Sequence, residues 1–349
     1  MDHLSQMLLQ IFKTNTYNAL QSYDLNRDGV VDLNELTHIC QSQGYDFHSA
    51  QQIANTVFVQ LDTDSNGYIT IEDFRPQAIP HVSINKVINT KKFILNCEPS
   101  AQPENDWTFE DAIDAGAINI AATAPASKDL RAAWWEVDDQ GATGACVGFS
   151  TAYGVLRWHY VTAGLLAKSQ KPSEKPSARF IWMANKETDN ITNYPTTFIE
   201  KSGTQTKLAL NVARKYGCVT ESELPMTGGL SKMSRAAFYS KAAQLRISSF
   251  HNLGRDLDKW RSWIANQGPI LTRLNVDETW DNATKTNGHL AQYLPNTARG
   301  GHAVCLVGYT TTYFIVRNSW GTDWGDNGFA YASDSYAGDA FTEAYGAVL

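Results

Sequence analysis

One cysteine lies where the sequence predicts that a helix begins. Cys146 follows the small residues Gly141 and Gly144 and precedes apolar residues at positions 149, 152, 153, 156 and 160, a spacing typical of a helix. The positive end of a helix dipole stabilises a thiolate and lowers the thiol pKa. An arbitrary cysteine is more often a buried core residue. The assignment of Cys146 as a nucleophile therefore depends on partners elsewhere in the chain.

An acidic loop at residues 24–35 indicates a second kind of chemistry. Calcium prefers six to eight oxygen ligands, so alternate residues of a binding loop point inward and a glycine permits the sharp turn. Gly29 occupies the sixth position of this loop, and the spacing matches the EF-hand template. The predicted ligands are Asp24, Asn26, Asp28, Val30 through its carbonyl, Asp32 and Glu35.

A second loop of the same pattern occupies residues 62–73, 38 residues after the first. Its last ligand is an aspartate, one carbon shorter than glutamate, which predicts a site that is weaker for calcium or more tolerant of magnesium. One such loop alone could be an ordinary acidic surface turn. Two of them, with Val31 and Ile69 at the eighth positions where paired EF-hands make a strand contact, predict an EF-hand pair. The predicted ligands are Asp62, Asp64, Asn66, Tyr68 through its carbonyl, Thr70 and Asp73.

Three sequence blocks carry a resemblance to a known enzyme family. They are QGATGAC around Cys146, GHAVCLVGY around His302 and NSWGTDWG beginning at Asn318. In this order they resemble the papain-like cysteine peptidases, over about 220 of the 349 residues. The segment DLRAAWWEVDDQ, which begins at residue 129, further resembles a bacterial branch of that family.

The resemblance implies a role for each matching residue. Cys146 would be the nucleophile, His302 its base and later the proton donor, and Asn318 the residue that orients the imidazole. Gln140 would share the oxyanion hole with the backbone N–H of Cys146. Trp320 would shield the bond between His302 and Asn318. The substrate-binding positions implied are Gly144, Gly203, Gly301 and Trp320.

Two positions depart from the family pattern. Thr143 stands where the sequence signature of the family has a cysteine, and Val147 stands where it has an aromatic residue. The first change removes a disulfide partner, and the second removes an aromatic ring from the wall of the cleft. Neither change removes a catalytic atom.

The elements that must position these residues divide into three parts. Residues 1–79 are predicted to form the EF-hand module, residues 80–127 a connector or possible pro-segment, and residues 128–349 the peptidase domain. Helical patterns precede strand-like ones in the last part, which predicts an α+β fold. The resemblance implies a papain-like catalytic domain of two lobes, one helical and one β-barrel-like, preceded by the all-α EF-hand module.

Composition excludes several classes of partner. The net charge is -7, with -10 in residues 1–124 and +3 in the remainder, so no basic footprint for nucleic acid is present. No stretch is long and apolar enough for a membrane span, and no Sec-type signal peptide is visible. The five scattered cysteines indicate a reducing compartment. We expect a cytoplasmic protein, or one exported by a non-Sec route, that acts on peptides or proteins, is monomeric, and has no membrane or nucleic-acid partner.

These features favour a calcium-binding cysteine peptidase that forms an acyl-thioester. The same residues could also transfer an acyl group to an amine, as transglutaminases do. A third hypothesis is a calcium-responsive binding protein on an inactive peptidase scaffold, although no catalytic residue is lost. Calcium could reposition a connector that occupies the cleft, or it could only stabilise the fold. The sequence leaves the substrate preference and the choice between endo- and exopeptidase open.

Overall fold

The computed structural model describes most of the chain in two compact units, Met1–Lys92 and Phe93–Leu349. The described residues are 3–14, 19, 22–25, 31–62, 69, 93–119, 124–188, 203–227 and 233–349. No helix among them is both long and apolar enough to cross a membrane.

The first unit is helical in its described part. Its helices are α1 (His3–Thr14), α2 (Leu33–Ser42) and α3 (Phe47–Leu61). Asp32 caps α2 by accepting a hydrogen bond from the backbone of Glu35, whose carboxylate accepts one from the backbone of Asp32. Val31 and Ile69 exchange two backbone hydrogen bonds of 3.0 and 2.8 Å. The strand contact predicted between the eighth positions of the two loops is therefore present.

The second unit begins with short elements and continues with helices. The helices are α4 (Phe109–Asp114), α5 (Cys146–Phe149), α6 (Arg157–Thr162), α7 (Ala178–Thr188), α8 (Thr206–Lys215), α9 (Arg235–Ala242), α10 (Leu257–Asn266) and α11 (Asp334–Ala340). A π-helical stretch, Ser150–Leu156, joins α5 to α6. Together they form one central helix, residues 146–162, which begins at Cys146 as predicted. Short 3-10 turns occupy Pro103–Asn105, Pro172–Glu174, Glu278–Asn282 and Pro295–Thr297.

The strands of the second unit form one large sheet and one small one. They are β1 (Cys97–Glu98), β2 (Lys128–Asp129), β3 (Thr204–Gln205), β4 (Ser249–Asn252), β5 (Ile270–Val276), β6 (His289–Leu290), β7 (Gly300–Tyr309), β8 (Tyr313–Arg317), β9 (Phe329–Ser333) and β10 (Phe341–Val348). The large sheet has the order β4-β10-β5-β7-β8-β9-β6, with β2 also paired to β7, and β1 pairs with β3 in parallel.

Strand β7 separates the two hydrophobic cores of this unit. Ala303, Cys305 and Val307 contribute to the core of the helical lobe, whereas Val304 and Leu306 contribute to the core of the sheet. This division follows from the alternation of side chains along a strand. The fold is the predicted α+β arrangement of a helical lobe against a sheet lobe, and the interface between the lobes contains the candidate site.

Candidate active site

Cys146 is the first residue of the central helix and is completely buried. Ala145, the N-cap residue, has no side-chain acceptor, so the free N–H groups of the first helical turn need hydrogen-bond acceptors from elsewhere. Gly144, predicted to contact substrate, lies two residues before Cys146 and is also buried. The thiol therefore lies at the positive end of a helix, in a loop that carries no bulky side chain next to it.

His302 and Asn318 come together through the pairing of two strands. Cys305 of β7 lies opposite Arg317 of β8, which places the start of β7 beside the residue that follows β8. His302 Nε2 and Asn318 Oδ1 are 2.8 Å apart, and both residues are buried. The backbone N–H of Ser319 also donates to Asn318 Oδ1, at 2.8 Å. His302 Nδ1 has no oxygen or nitrogen partner among the described residues.

The pKa of Cys146 lies well below its ordinary value. The largest cause is a hydrogen bond from the thiol of Cys97, while burial opposes the shift; a hydrogen bond and the positive charge of His302, and a backbone hydrogen bond from Ala303, lower the pKa further. Burial raises the pKa of Cys97. Burial also raises the pKa of Cys305, to about 12, and that of Cys218. His302 therefore faces the one buried thiol whose pKa is lowered, among the four with a resolved shift.

Gln140 is fixed beside the strand that carries Asn318. Its backbone N–H donates to the carbonyl of Ser319 at 2.8 Å, and the Ser319 hydroxyl donates to Gln140 Oε1 at 2.6 Å. Gln140 Nε2 donates to the carbonyl of Thr143 at 2.8 Å, across the loop that leads to Cys146. The side chain is therefore held in one orientation by the two segments that it connects.

Two tryptophans enclose the imidazole. The ring of Trp320 lies 4.7 Å from that of His302, and the ring of Trp280 meets His302 edge-on at 5.7 Å. Trp280 donates from Nε1 to the hydroxyl of Tyr336 at 2.9 Å, which fixes the indole. Trp320 was predicted from the sequence, but Trp280 was not, because it lies in a 3-10 turn without a motif.

A segment upstream of the catalytic lobes occupies the groove next to Cys146. We call residues 93–100 the cleft segment. Phe93 stacks on Trp320 with ring centroids 4.1 Å apart and planes inclined by 2°. Asn96 bridges to Gly301 in parallel, and Cys97 pairs with Thr204. The cleft segment therefore passes from Trp320, over the start of β7, to β3.

Two of the glycines predicted to bind substrate are covered by this segment. A Cβ atom at Gly203 would lie 1.9 Å from the carbonyl oxygen of Asn96, and one at Gly301 would lie 2.1 Å from that of Cys97. Neither position could carry a side chain while the segment is in place. Gly203 and Gly301 thus line a groove that accepts an extended backbone.

Two polar side chains that were not predicted from the sequence hold the cleft segment in place. Arg273 Nε donates to the Cys97 carbonyl at 2.9 Å. Glu343 accepts from the backbone N–H and from the hydroxyl of Ser100, both at 2.7 Å. No local motif marks Arg273 or Glu343, since they come from β5 and β10 and meet the segment only in the folded unit.

The calcium loops are described only in part. Among the predicted ligands, Asp24, Asp32, Glu35 and Asp62 belong to the described residues. Glu35 Oε1 accepts from the backbone N–H of Leu25 at 2.7 Å, so the last predicted ligand of the first loop lies beside the start of that loop. No group of three or more His, Cys, Asp or Glu side chains within the described ranges could hold a metal ion. Outside these ranges lie Asn26, Asp28, Val30, Asp64, Asn66, Tyr68, Thr70 and Asp73.

Comparison with known proteins gives two family matches. The papain family cysteine protease model matches residues 124–343, and the EF-hand domain pair model matches residues 13–77. A probable cysteine protease of Arabidopsis thaliana is 26% identical over 206 residues, which cover 56% of this chain and 52% of that protein. A cathepsin B-like protein of Giardia intestinalis is 28% identical over 246 residues, 62% of this chain and 72% of that protein. The chain spans about half the length of the Arabidopsis protease.

Solved structures show the same fold. The crystal structure of xylellain, a cysteine protease from Xylella fastidiosa, has a TM-score of 0.58 at 22% identity and covers 75% of this chain and 98% of that one. A digestive procathepsin from the larval midgut of Tenebrio molitor has a TM-score of 0.53 at 23% identity, with coverage of 74% and 78%.

Proposed function

Since the chain belongs to the papain family of cysteine proteases and carries an EF-hand domain pair, we propose that it hydrolyses peptide bonds with Cys146, His302, Asn318 and Gln140. The observation that carries this proposal is the buried pair of His302 and Asn318 at 2.8 Å, with the other ring nitrogen on the side of a thiol whose pKa is lowered. A buried cysteine with only a structural role would have its pKa raised, as Cys305 does.

The proposed reaction begins with the thiolate of Cys146. Its sulfur attacks the scissile carbonyl carbon, and the carbonyl electrons move onto the oxygen. The protonated imidazole of His302 then gives its proton to the leaving amine, the C–N bond breaks, and an acyl-thioester remains. His302 next removes a proton from water, which attacks the thioester, releases the acid and regenerates the thiolate.

Gln140 and the backbone N–H of Cys146 would stabilise the oxyanion. The Gln140 amide has two N–H groups, and one of them bonds to the carbonyl of Thr143, so the other remains for the substrate. Because Ser319 fixes the amide from the opposite side, the donor needs little reorganisation when charge develops. Trp320 covers the bond between His302 and Asn318 and keeps water from competing for it.

With the cleft segment in place, the folded chain is a latent form of the enzyme. It covers Gly203 and Gly301, the positions where the substrate backbone would bind, and its Phe93 ring covers Trp320. A substrate can reach Cys146 only after the segment has moved away. The extended groove and the glycines that line it support a peptide or protein substrate.

The two acidic loops are proposed to bind calcium. The contact between Val31 and Ile69 and the position of Glu35 at the start of its own loop support this proposal. Glu35 would close the first loop with two oxygens, whereas Asp73 would close the second with one, so the second site is expected to be weaker or more tolerant of magnesium. Bound calcium would supply charge neutralisation to a strongly acidic module.

Hydrolysis of a pooled fluorogenic peptide library tests the proposed function. The full chain, Cys146→Ala and Phe93→Ala are assayed under thiol reductant, with calcium and with chelator. Phe93→Ala removes the stack on Trp320 and should raise the rate, while Ile113→Ala, at an exposed residue of α4, is the matched control. Cleavage that requires Cys146 is the expected result.

Two outcomes of that assay would change the proposal. If no variant, including Phe93→Ala, cleaved any peptide, the proposal of peptide hydrolysis would be withdrawn. Acyl transfer or binding would then remain as the candidate functions. A rate that does not respond to chelation, together with a lower melting temperature, would assign calcium a structural role instead of a regulatory one.

A further inference from the structure

The cleft segment brings a second cysteine into the neighbourhood of the nucleophile. Cys97 and Cys146 are both buried and belong to the same hydrophobic core cluster, and the bridge of Asn96 to Gly301 places Cys97 next to His302 at the start of β7. Cys97 is also the neighbour that lowers the pKa of Cys146 most. The two residues are 49 positions apart in the sequence, so only the fold brings them together. Cys97 lies outside the three sequence blocks that carry the resemblance to the family and outside residues 124–343, which match the family model.

The backbone on both sides of Cys97 is held in place, which fixes the position from which the Cys97 side chain extends. Asn96 bridges to Gly301, the residue before His302, and Cys97 itself pairs with Thr204. Arg273 holds the Cys97 carbonyl at 2.9 Å. The absence of a Cβ at Gly301 lets that carbonyl approach the strand.

The two thiols are chemically unequal in a way that suits thiol oxidation. Cys146 has a lowered pKa and His302 beside it, so it is the reactive thiolate of the pair. Cys97 keeps its proton at neutral pH because burial raises its pKa. A reactive thiolate next to a second thiol is the arrangement of a peroxide-sensitive cysteine with a resolving partner.

We propose that Cys97 and Cys146 form a reversible intramolecular disulfide that locks the cleft segment over the nucleophile. The effect on hydrolysis rests on the proposed function; the disulfide itself does not. The oxidant is a peroxide small enough to reach a buried pair. A reducing dithiol would reopen the bond and return both thiols.

The proposed oxidation balances in two steps. The Cys146 thiolate attacks hydrogen peroxide, an S–O bond forms, the O–O bond breaks, and hydroxide leaves, which gives a sulfenic acid. The Cys97 sulfur then attacks the Cys146 sulfur, loses its proton, and displaces hydroxide as the S–O bond breaks. Each hydroxide takes up one proton and leaves as water, so the two thiols together give up two electrons and two protons and reduce one hydrogen peroxide to two waters. The disulfide also prevents further oxidation of Cys146 to the irreversible sulfinic acid.

Mass spectrometry of the full chain tests the disulfide directly. The reduced and desalted protein is exposed to hydrogen peroxide, its remaining thiols are blocked with N-ethylmaleimide in denaturant, and its peptides are mapped. We expect a linked peptide that contains Cys97 and Cys146, and activity that falls at least about tenfold and returns with dithiothreitol. Cys97→Ser should lack the linked peptide, accumulate sulfinic acid at Cys146 and fail to recover.

Cys40→Ala is the matched control, since it removes a buried cysteine from the other unit and should behave as the wild type does. The proposal is overturned if Cys97 and Cys146 both remain free thiols after peroxide treatment, or if Cys97→Ser protects Cys146 as well as the wild type does. A linked peptide in a protein that never cleaves any peptide would support the disulfide and remove the proposed function.

Discussion

Cys146 and Cys305 are buried to the same extent, but the pKa values of their thiols are shifted in opposite directions. The two residues are 0% and 1% exposed. Burial raises the pKa of Cys305 to about 12, and its Sγ donates to the carbonyl of Ser150 at 2.9 Å. At Cys146 the same burial is outweighed by Cys97, His302 and the backbone of Ala303. Burial alone therefore makes a thiol inert, and reactivity depends on the partners that the fold brings to it.

The largest expected effect is the loss of activity in Cys146→Ala. If the contrast between the two thiols is correct, this change lowers kcat/KM about 10⁴-fold or more, because no other group can form the thioester. Cys305→Ala should keep most of the activity and lose only packing. Steady-state kinetics on a cleaved library peptide measures both. Comparable losses in the two variants would mean that the site is not centred on Cys146.

A smaller effect is expected at the oxyanion donor. Gln140→Ala removes a fixed amide and should lower kcat about 10²- to 10³-fold. KM should change little, since the donor acts mainly on charge that develops in the transition state. Gln140→Glu keeps the size of the side chain but lacks the N–H, so it should be equally slow. A Gln140→Glu enzyme with normal kcat would remove Gln140 from the mechanism.

His159 extends the comparison to a buried basic group whose pKa is shifted by burial alone. It lies on α6, is 7% exposed, and its pKa is lowered to about 4, while its Nε2 has no partner among the described residues. The unfolded chain binds this proton below about pH 6.5 and the folded chain only below about pH 4. The free energy of unfolding should therefore fall as the pH drops through this interval, by up to about 3 kcal/mol, with no loss above it.

Urea unfolding followed by tryptophan fluorescence measures this slope. All 10 tryptophans lie at position 107 or beyond, so the signal reports the second unit alone. His159→Leu should flatten the curve between pH 6.5 and 4, and His289→Gln, at an exposed histidine, is the matched control. An unchanged slope in His159→Leu would show that other groups bind the protons.

Local sequence patterns predicted those residues whose place in a helix or strand depends on their neighbours in the chain. Cys146 begins a helix, as expected, while His302 lies near the start of β7 and Asn318 directly follows β8. Each of these placements depends on a short periodic pattern or a helix start. The predicted contact of Val31 with Ile69 has the same origin.

The residues that the sequence did not reveal act through contacts between distant segments. Cys97 lies in a strand of two residues, too short to produce an alternating pattern, and its partners come from β3 and β5. The glycines at 203 and 301 were predicted as substrate contacts, but only the fold shows which backbone fills the space above them. The π-helical stretch Ser150–Leu156 was also not predicted, since its apolar spacing is that of an ordinary helix.

The smallest predicted effect concerns packing around the inert thiol. A Cβ atom at Gly154, in the π-helical stretch, would lie 2.1 Å from Cys305 Sγ. Gly154→Ala should therefore lower the free energy of unfolding by about 1 to 3 kcal/mol through overpacking. Cys305→Ala removes the sulfur and makes room for the methyl group, so the double variant should be more stable than the sum of the single losses, with a coupling of at least about 0.5 kcal/mol. Additive losses in urea unfolding would contradict a packing role for Cys305, since the added methyl group would then destabilise the helix independently of that sulfur.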